Sequence, residues 1–222
     1  MSYEQLKARH RTERDNYPQN LSLRVHRALS WLNRAEQCED DDGRFIFLWI
    51  AFNAAYAHET GEKKAPEGRS VEDFIFKLVS IDSSGLLSQL VWHQYSGPIR
   101  LLLANPFVFQ PYWNFQNNQP GSRNWSAKFE RAKKASNKAL ADQNTATVLT
   151  IVFSRLYTLR NQLMHGGATY AGQVNRQQVG DGAKLLGHAV PCVIKLMMEN
   201  PKADWGEACY PVQQDDYSVK FN

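Results

Sequence analysis

The sequence has few cysteines and no long apolar run, and each absence excludes a class of protein. Its 222 residues include three cysteines, an odd number at wide spacings (Cys38, Cys192 and Cys209), which suits neither a disulfide framework nor a zinc site. We therefore expect a reducing, cytoplasmic location. The longest apolar run, from Phe45 to Phe52, is far too short to span a bilayer. The N-terminus is charged and lacks the apolar centre of a signal peptide, so no membrane partner is expected.

The chain also lacks a strong excess of charge of either sign. Lysine and arginine number 26, aspartate and glutamate number 22, and the formal net charge is +4. This mild basic excess permits a nucleic-acid partner without requiring one. Hydrophobic residues make up 43% of the chain, which is enough to bury a core. The length suits one domain, or one domain with an insertion.

The spacing of apolar residues predicts an all-α protein. No segment alternates strictly enough to be a strand, whereas several carry apolar residues at helical spacing. The segment from Gly43 to Glu59 is apolar nearly all round, which predicts a central buried helix. A buried strand is the alternative for Phe45 to Phe52, but the length of the run and the alanines after it favour a helix. We predict a bundle of about six to eight helices over residues 1–200, with a C-terminal tail over residues 201–222.

Residues 106–125 interrupt the helical pattern with an aromatic-rich insertion, which we predict to be a loop. Aromatic side chains alternate there with Asn, Gln and Pro; they are Phe107, Phe109, Tyr112, Trp113, Phe115 and Trp125. These rings could form a platform on which unpaired bases stack. The interpretation that we favour is a long loop that its aromatic side chains attach to the core.

A basic stretch follows directly, with helix predicted from Ser126. Over residues 123–138 six basic side chains face a single acid, Glu130; they are Arg123, Lys128, Arg131, Lys133, Lys134 and Lys138. They could form a track for RNA phosphates. They could equally form an ordinary solvated helix face, and the sequence leaves both interpretations open.

The run from Thr145 to His165 has the clearest helical pattern in the chain. On a wheel of about 100° per residue, one apolar stripe comprises Val148, Val152, Leu156, Leu159 and Leu163. A second stripe, roughly 120° away on the same wheel, comprises Phe153, Tyr157 and Met164. A helix that is apolar on two sides is usually buried on two sides. We therefore predict that the second stripe forms a homodimer interface; the alternative is that another helix of the same chain covers it.

Three polar side chains stand at the end of this run: Arg160, Asn161 and His165, followed at once by Gly166 and Gly167. Asn161 and His165 are four residues apart and so share a face. Glycine readily takes the left-handed conformation that ends a helix. A guanidinium suits phosphate oxygens and an imidazole moves protons near neutral pH, and phosphodiester cleavage without a metal needs both. Alone, the pattern also fits a histidine favoured by the helix dipole and an ordinary half-buried arginine.

The pattern Arg-Asn-x3-His-Gly at the end of an apolar helix, with a very apolar helix upstream, resembles the HEPN superfamily. Its mark is Arg-x(4–6)-His, often with a polar residue directly after the arginine, and Arg160, Asn161 and His165 match it residue by residue. The resemblance implies an all-α bundle, usually dimeric, whose active members are metal-independent ribonucleases and often toxins or phage-defence effectors. One departure is that the branch modified by a partner nucleotidyltransferase has a tyrosine where this chain has Gly167; the nearest tyrosine here is Tyr170.

We therefore expect an endoribonuclease that needs no metal and no cofactor. His165 would act as general base or acid while a ribose 2′-hydroxyl attacks the adjacent phosphate. Arg160 would stabilise charge on the phosphoryl oxygens, and Asn161 would orient His165 or contact phosphate. The expected partners are RNA, a second copy of the chain, and an antitoxin or defence-system protein. The alternatives are a HEPN-like module that binds a nucleotide or a partner protein without cutting, and a structural dimer without a ligand.

Overall fold

Helices make up the regular structure of this protein. A computed structural model describes residues 1–57, 67–173 and 175–210, with the backbone alone for residues 67–69. Over these residues the chain has ten α-helices and no strand, so the all-α prediction is confirmed. The helices are α1 (Tyr3–Glu13), α2 (Gln19–Glu36), α3 (Asp41–Tyr56), α4 (Glu67–Ile81), α5 (Leu86–Gln89), α6 (Ser96–Ala104), α7 (Gln110–Gln116), α8 (Trp125–Ala141), α9 (Thr145–Met164) and α10 (Arg176–Glu199).

Helix α3 lies at the centre of the bundle, and the prediction of a helix rather than a strand there is confirmed. It packs mainly against α2 and α10. Its rings Phe45, Trp49 and Phe52 are at most 1% exposed. Helix α10 approaches closely because Gly182 has no side chain: a Cβ there would lie 2.9 Å from Phe45 and 3.1 Å from Leu156 of α9. One glycine thus lets α10 pack against α3 and α9 together.

The described residues contain more helices than the six to eight that the sequence predicts. The segment Leu86–Ala104 divides into α5, a π-helical turn over Leu90–Gln94, and α6. The predicted loop over residues 106–125 is also partly helical, because it contains a 3₁₀ turn at Pro106–Val108 and α7. Helix α5 has four residues and α7 has seven, which is too short for a helical period to be visible in the sequence.

Helices α8 and α9 form an antiparallel pair joined by a three-residue turn. Asn144 in this turn caps α9, since its side chain accepts a hydrogen bond from the backbone N–H of Thr147 at 3.0 Å. The first apolar stripe of α9 is buried as predicted, with Leu163 half-buried and four residues at most 1% exposed: Val148, Val152, Leu156 and Leu159. This burial fixes which side of α9 faces the bundle.

The first part of the predicted tail folds onto the bundle. Trp205 is buried against Phe74, with ring centroids 6.0 Å apart in an edge-to-face arrangement. Buried Arg24 donates hydrogen bonds to the carbonyl oxygens of Ala55 and Glu207, at 3.0 and 2.5 Å. Residues 211–222 of the predicted tail lie outside the described residues.

No single described helix is long and apolar enough to cross a membrane. The pair Ser70–Ile81 and Leu86–Gln94, bent by 109°, reaches that length and composition only jointly.

Candidate functional site

The end of α9 is built by a glycine cap. His165 is the C-cap residue, and Gly166 follows with a φ of +68°, so the predicted left-handed glycine is Gly166 rather than Gly167. The N–H of Gly167 donates to the carbonyl of Gln162 at 2.8 Å, and the N–H of Gly166 donates to the carbonyl of Leu163 at 3.3 Å. This pair of bonds is the Schellman motif, which leaves fewer unpaired carbonyl groups at the helix end.

Arg160 and Asn161 are held together at this end. Nη1 of Arg160 donates a hydrogen bond to Oδ1 of Asn161 at 2.9 Å. The guanidinium carbon also lies 5.9 Å from the ring centroid of Tyr157. Arg160 is half-buried, and no carboxylate of the described residues forms an ion pair with it. Among the described residues its charge is therefore oriented by an amide and an aromatic ring and is not neutralised by an acid.

His165 is exposed, and no side chain of the described segments hydrogen-bonds to its ring. Its backbone N–H donates to the carbonyl of Asn161 at 3.0 Å. Asn161 lies about 100° round the helix from Arg160, towards His165. The sequence suggested that Asn161 orients His165 or contacts phosphate; in the structure its amide oxygen accepts a hydrogen bond from Arg160. The amide NH₂ of Asn161 has no hydrogen-bond partner in the part of the chain that the structure describes and is left for a further contact.

An acid of α3 fixes the loop that follows His165. Asp42 is 9% exposed and accepts a hydrogen bond from Nη1 of Arg176 at 2.6 Å and one from the N–H of Ala171 at 3.4 Å. The hydrogen bond between the Arg176 guanidinium and the Asp42 carboxylate raises the pKa of Arg176 above its usual value. The sequence has four consecutive acids, Glu39 to Asp42, for which a solvated loop is the favoured interpretation. That interpretation is wrong for Asp42, which is buried in the first turn of α3. The signal that could have located it is its position directly before the predicted helix, where the helix dipole favours an acidic side chain.

Gln162 connects α9 to the aromatic segment 106–125, and the sequence interpretation missed it. Its Nε2 donates to the carbonyl of Phe107 at 2.7 Å, and its Oε1 accepts from Nδ2 of Asn175 at 2.8 Å. The indole N–H of Trp113 donates to the same Phe107 carbonyl at 2.7 Å. No local signal marks Gln162, because its partners lie 55 and 13 residues away in the sequence.

Arg155 attaches the same segment further along α9. The residue is 3% exposed, and its guanidinium carbon lies 4.3 Å from the ring centroid of Phe109 and 5.9 Å from that of Phe129. Burial lowers the pKa of Arg155 to about 10. On the helical wheel Arg155 falls about 20° from Val148, inside the buried stripe, and this spacing is the signal that identifies it. The aromatic segment is thus attached to the core, as the favoured interpretation holds.

The six predicted RNA-binding residues lie on or just before α8. Lys128 is half-buried; the five exposed ones are Arg123, Arg131, Lys133, Lys134 and Lys138. Lys138 is ion-paired with Asp142 at 2.6 Å. Because α8 and α9 are antiparallel and Phe129 lies beside Arg155, Lys128 is closer to the end of α9 than Lys138 is.

The predicted dimer interface is only partly at the surface. Phe153 is 3% exposed, and its ring centroid lies 4.3 Å from that of Phe52 in α3. The prediction that Phe153 faces a partner subunit is therefore wrong: a helix of the same chain covers it. Tyr157 is half-buried with its ring 6.1 Å from Trp49, whereas Met164 is 50% exposed.

Comparison of the chain with protein-family models, with curated proteins and with solved structures finds no match.

Proposed function

We propose that this protein is a metal-independent endoribonuclease of the HEPN type. The observation that carries the proposal is the end of α9, where an arginine oriented by Asn161 and without a carboxylate partner among the described residues shares a helix end with the exposed His165. A guanidinium in this state is suited to bind a phosphate. An accessible imidazole at the same helix end is suited to transfer a proton to or from the sugar oxygens.

In the proposed reaction, the ribose 2′-oxygen forms a bond to phosphorus as the bond from phosphorus to the 5′-oxygen breaks. The 2′-hydroxyl loses a proton, the departing 5′-oxygen gains one, and the products are a 2′,3′-cyclic phosphate and a 5′-hydroxyl. His165 performs one of these two proton transfers. Arg160 stabilises the charge that develops on the phosphoryl oxygens. DNA has no 2′-hydroxyl and cannot follow this route.

The cap of α9 supports this assignment electrostatically. The C-terminal end of a helix carries partial negative charge, which disfavours a bound phosphate. Here the carbonyl groups of Asn161, Gln162 and Leu163 accept hydrogen bonds from the N–H groups of the three residues that follow Met164. This pairing reduces the repulsion between the helix end and a phosphate bound by Arg160.

A further support is the charge along α8. Arg131, Lys133 and Lys134 are exposed, and no described carboxylate forms an ion pair with any of them. Unpaired surface cations attract a polyanion and release its counterions on binding. They would guide RNA towards α9 without contributing to the chemistry.

The test is RNA cleavage in EDTA. The wild-type protein should cut a single-stranded RNA and leave the all-deoxy sequence intact. Arg160→Ala and His165→Ala should each reduce the rate by about a hundredfold or more. The matched controls are Arg100→Ala and His93→Ala, which remove an exposed arginine and an exposed histidine elsewhere on the surface. Both controls should cut at the wild-type rate.

Three outcomes would contradict the proposal: cleavage that requires Mg²⁺, equal cleavage of DNA, or full activity of the Arg160→Ala variant. Binding of RNA without any cleavage would instead identify a HEPN-like binding module. Circular dichroism on each variant is needed to show that the loss of activity is not a loss of fold.

A further inference from the structure

A cavity of about 660 Å³ opens beside the end of α9, on the side of Gln162. We call it the aromatic–amide pocket; it is lined by Asn105, Pro106, Phe107, Trp113, Asn175 and Gln178. Its two walls belong to the aromatic segment and to the start of α10. Gln162 joins them, since it donates to the Phe107 carbonyl and accepts from Asn175. The last turn of α9 thus carries the candidate site and also connects the two walls of the pocket through Gln162.

The apolar part of the pocket is suited to a flat ring. Phe107 is 44% exposed although its backbone is anchored by two hydrogen bonds to its carbonyl. Its ring stands edge-on to Tyr112, with an interplanar angle of 85°. The indole of Trp113 is oriented by its bond to the Phe107 carbonyl. Exposed aromatic rings that are fixed in this way offer stacking surface at little entropic cost.

The polar part of the pocket consists of amides whose side chains keep hydrogen-bonding groups without a partner among the described residues. Asn105 accepts from the N–H of Phe107 at 2.8 Å, which leaves its NH₂ group available. Asn175 donates to Gln162, which leaves its carbonyl oxygen available. Gln178 makes no side-chain hydrogen bond within the described part of the chain. The pocket therefore presents both donors and acceptors and no charged group, which suits a nucleobase edge better than a phosphate.

We propose that the aromatic–amide pocket binds one unpaired nucleobase, that of a nucleotide next to the phosphate held by Arg160. The assignment to RNA rests on the proposed function. Arg160 and Gln162, which holds the pocket wall at Phe107, are two residues apart, about 3 Å along the helix axis and about 200° round it. A nucleotide that passes over the helix end would have its phosphate on the side of Arg160 and its base on the side of the pocket. The phosphate and the base then have separate binding groups on the two sides of the helix end.

The experiment uses an RNA analogue with 2′-O-methyl groups, which cannot be cleaved by the proposed route, and measures its binding by fluorescence anisotropy. Phe107→Ala should weaken binding about tenfold, the typical loss of one stacked base. The matched control is Phe115→Ala. Phe115 is 38% exposed and belongs to the same segment, but it lines a different cavity, together with Gly121 and Arg123. This control should change the affinity by less than about twofold.

A second variant, Gln178→Leu, removes an amide without removing a ring and should also weaken binding several-fold. An analogue of equal length without bases should bind wild-type protein and the Phe107→Ala variant equally. Circular dichroism confirms that each variant is folded. Equal losses for Phe107→Ala and Phe115→Ala, unchanged affinity in both pocket variants, or no binding by the wild-type protein would overturn the proposal.

The outcomes for the pocket and for the proposed function are distinguishable. If the protein binds the analogue in a Phe107-dependent manner but leaves RNA intact, the pocket assignment stands and the ribonuclease assignment is wrong. If the protein cuts RNA while the Phe107→Ala and Phe115→Ala variants bind the analogue equally well, the ribonuclease assignment stands and the pocket assignment is wrong.

Discussion

Arg155 is a buried cation, and its replacement tests how the aromatic segment is attached to α9. The residue is 3% exposed, its Nε has no hydrogen-bond partner among the residues that the structure describes, and its guanidinium carbon lies 4.3 Å from the ring centroid of Phe109. Two opposing effects act on it. Burial disfavours the charged form, whereas the rings of Phe109 and Phe129 attract it.

The size of each effect can be estimated. Burial lowers the pKa of Arg155 to about 10, which corresponds to about 3 kcal/mol against the charged form. Each cation–π contact stabilises the charged form by about 0.5–2 kcal/mol. The two effects therefore nearly cancel. We expect Arg155→Met to change the free energy of unfolding by less than about 1 kcal/mol, because methionine keeps the volume and contacts the same rings. Arg155→Ala should cost about 2–4 kcal/mol, because it leaves a cavity.

The pH dependence follows from the same shift. The folded-state pKa of Arg155 lies below the unfolded value, so the folded protein binds its proton less strongly than the unfolded chain. The cost of burying charged Arg155 therefore destabilises the fold fully at pH values below the folded-state pKa. This destabilisation decreases as the pH rises from the folded-state pKa towards the unfolded-state pKa. The difference between Arg155→Met and the wild-type protein should therefore stay constant from about pH 6 to about pH 9.

Urea unfolding followed by circular dichroism measures both variants, with Arg100→Met as the control for an exposed arginine. RNA cleavage should survive in Arg155→Met if this arginine only attaches the aromatic segment. A loss of stability in Arg155→Met as large as that in Arg155→Ala would refute the reasoning. It would mean that the guanidinium itself stabilises the fold and that the burial cost is overestimated.

The remaining predictions concern the surface. Changing Lys133 and Lys134 to Glu should weaken RNA binding and flatten its salt dependence, because both lysines are exposed and have no ion pair among the described residues. Unchanged RNA binding at low salt would contradict the phosphate track. Lys138→Glu should matter less, since Lys138 is already paired with Asp142. Met164→Glu should convert a homodimer to a folded monomer, as measured by sedimentation, because the 50% exposed Met164 side chain would lie in the dimer interface. A wild-type protein that sediments as a monomer and cuts RNA at full rate would exclude the dimer.

The bounds and the buried stripe of α9 could be predicted because their signals lie within the helix. The apolar spacing that begins at Val148 is a property of consecutive residues, and so is the glycine that ends the helix at Gly166. The placement of Arg160 and His165 on one helix end follows directly. For the same reason the central helix α3 could be predicted from its composition alone.

Contacts between distant segments could not be predicted in this way. A helical wheel shows that Phe153 lies on an apolar side of α9, but not whether α3 or a second chain covers that side. The bond from Gln162 to Phe107 joins residues 55 positions apart, and that from Arg176 to Asp42 joins residues 134 positions apart. Neither pair has a spacing that a local pattern could reveal.

These long-range contacts fix the end of α9 from two directions. Gln162 attaches it to the aromatic segment, and Asp42 attaches the loop after His165 to α3. Folding has therefore already positioned the backbone at Arg160 and His165 before any ligand arrives. A ligand that uses both groups gains from this rigidity only if its phosphate and its base fit the spacing that the fold sets. Changes at Gln162 or Asp42 should accordingly affect the transition state more than ground-state binding, because catalysis depends more steeply on position than affinity does.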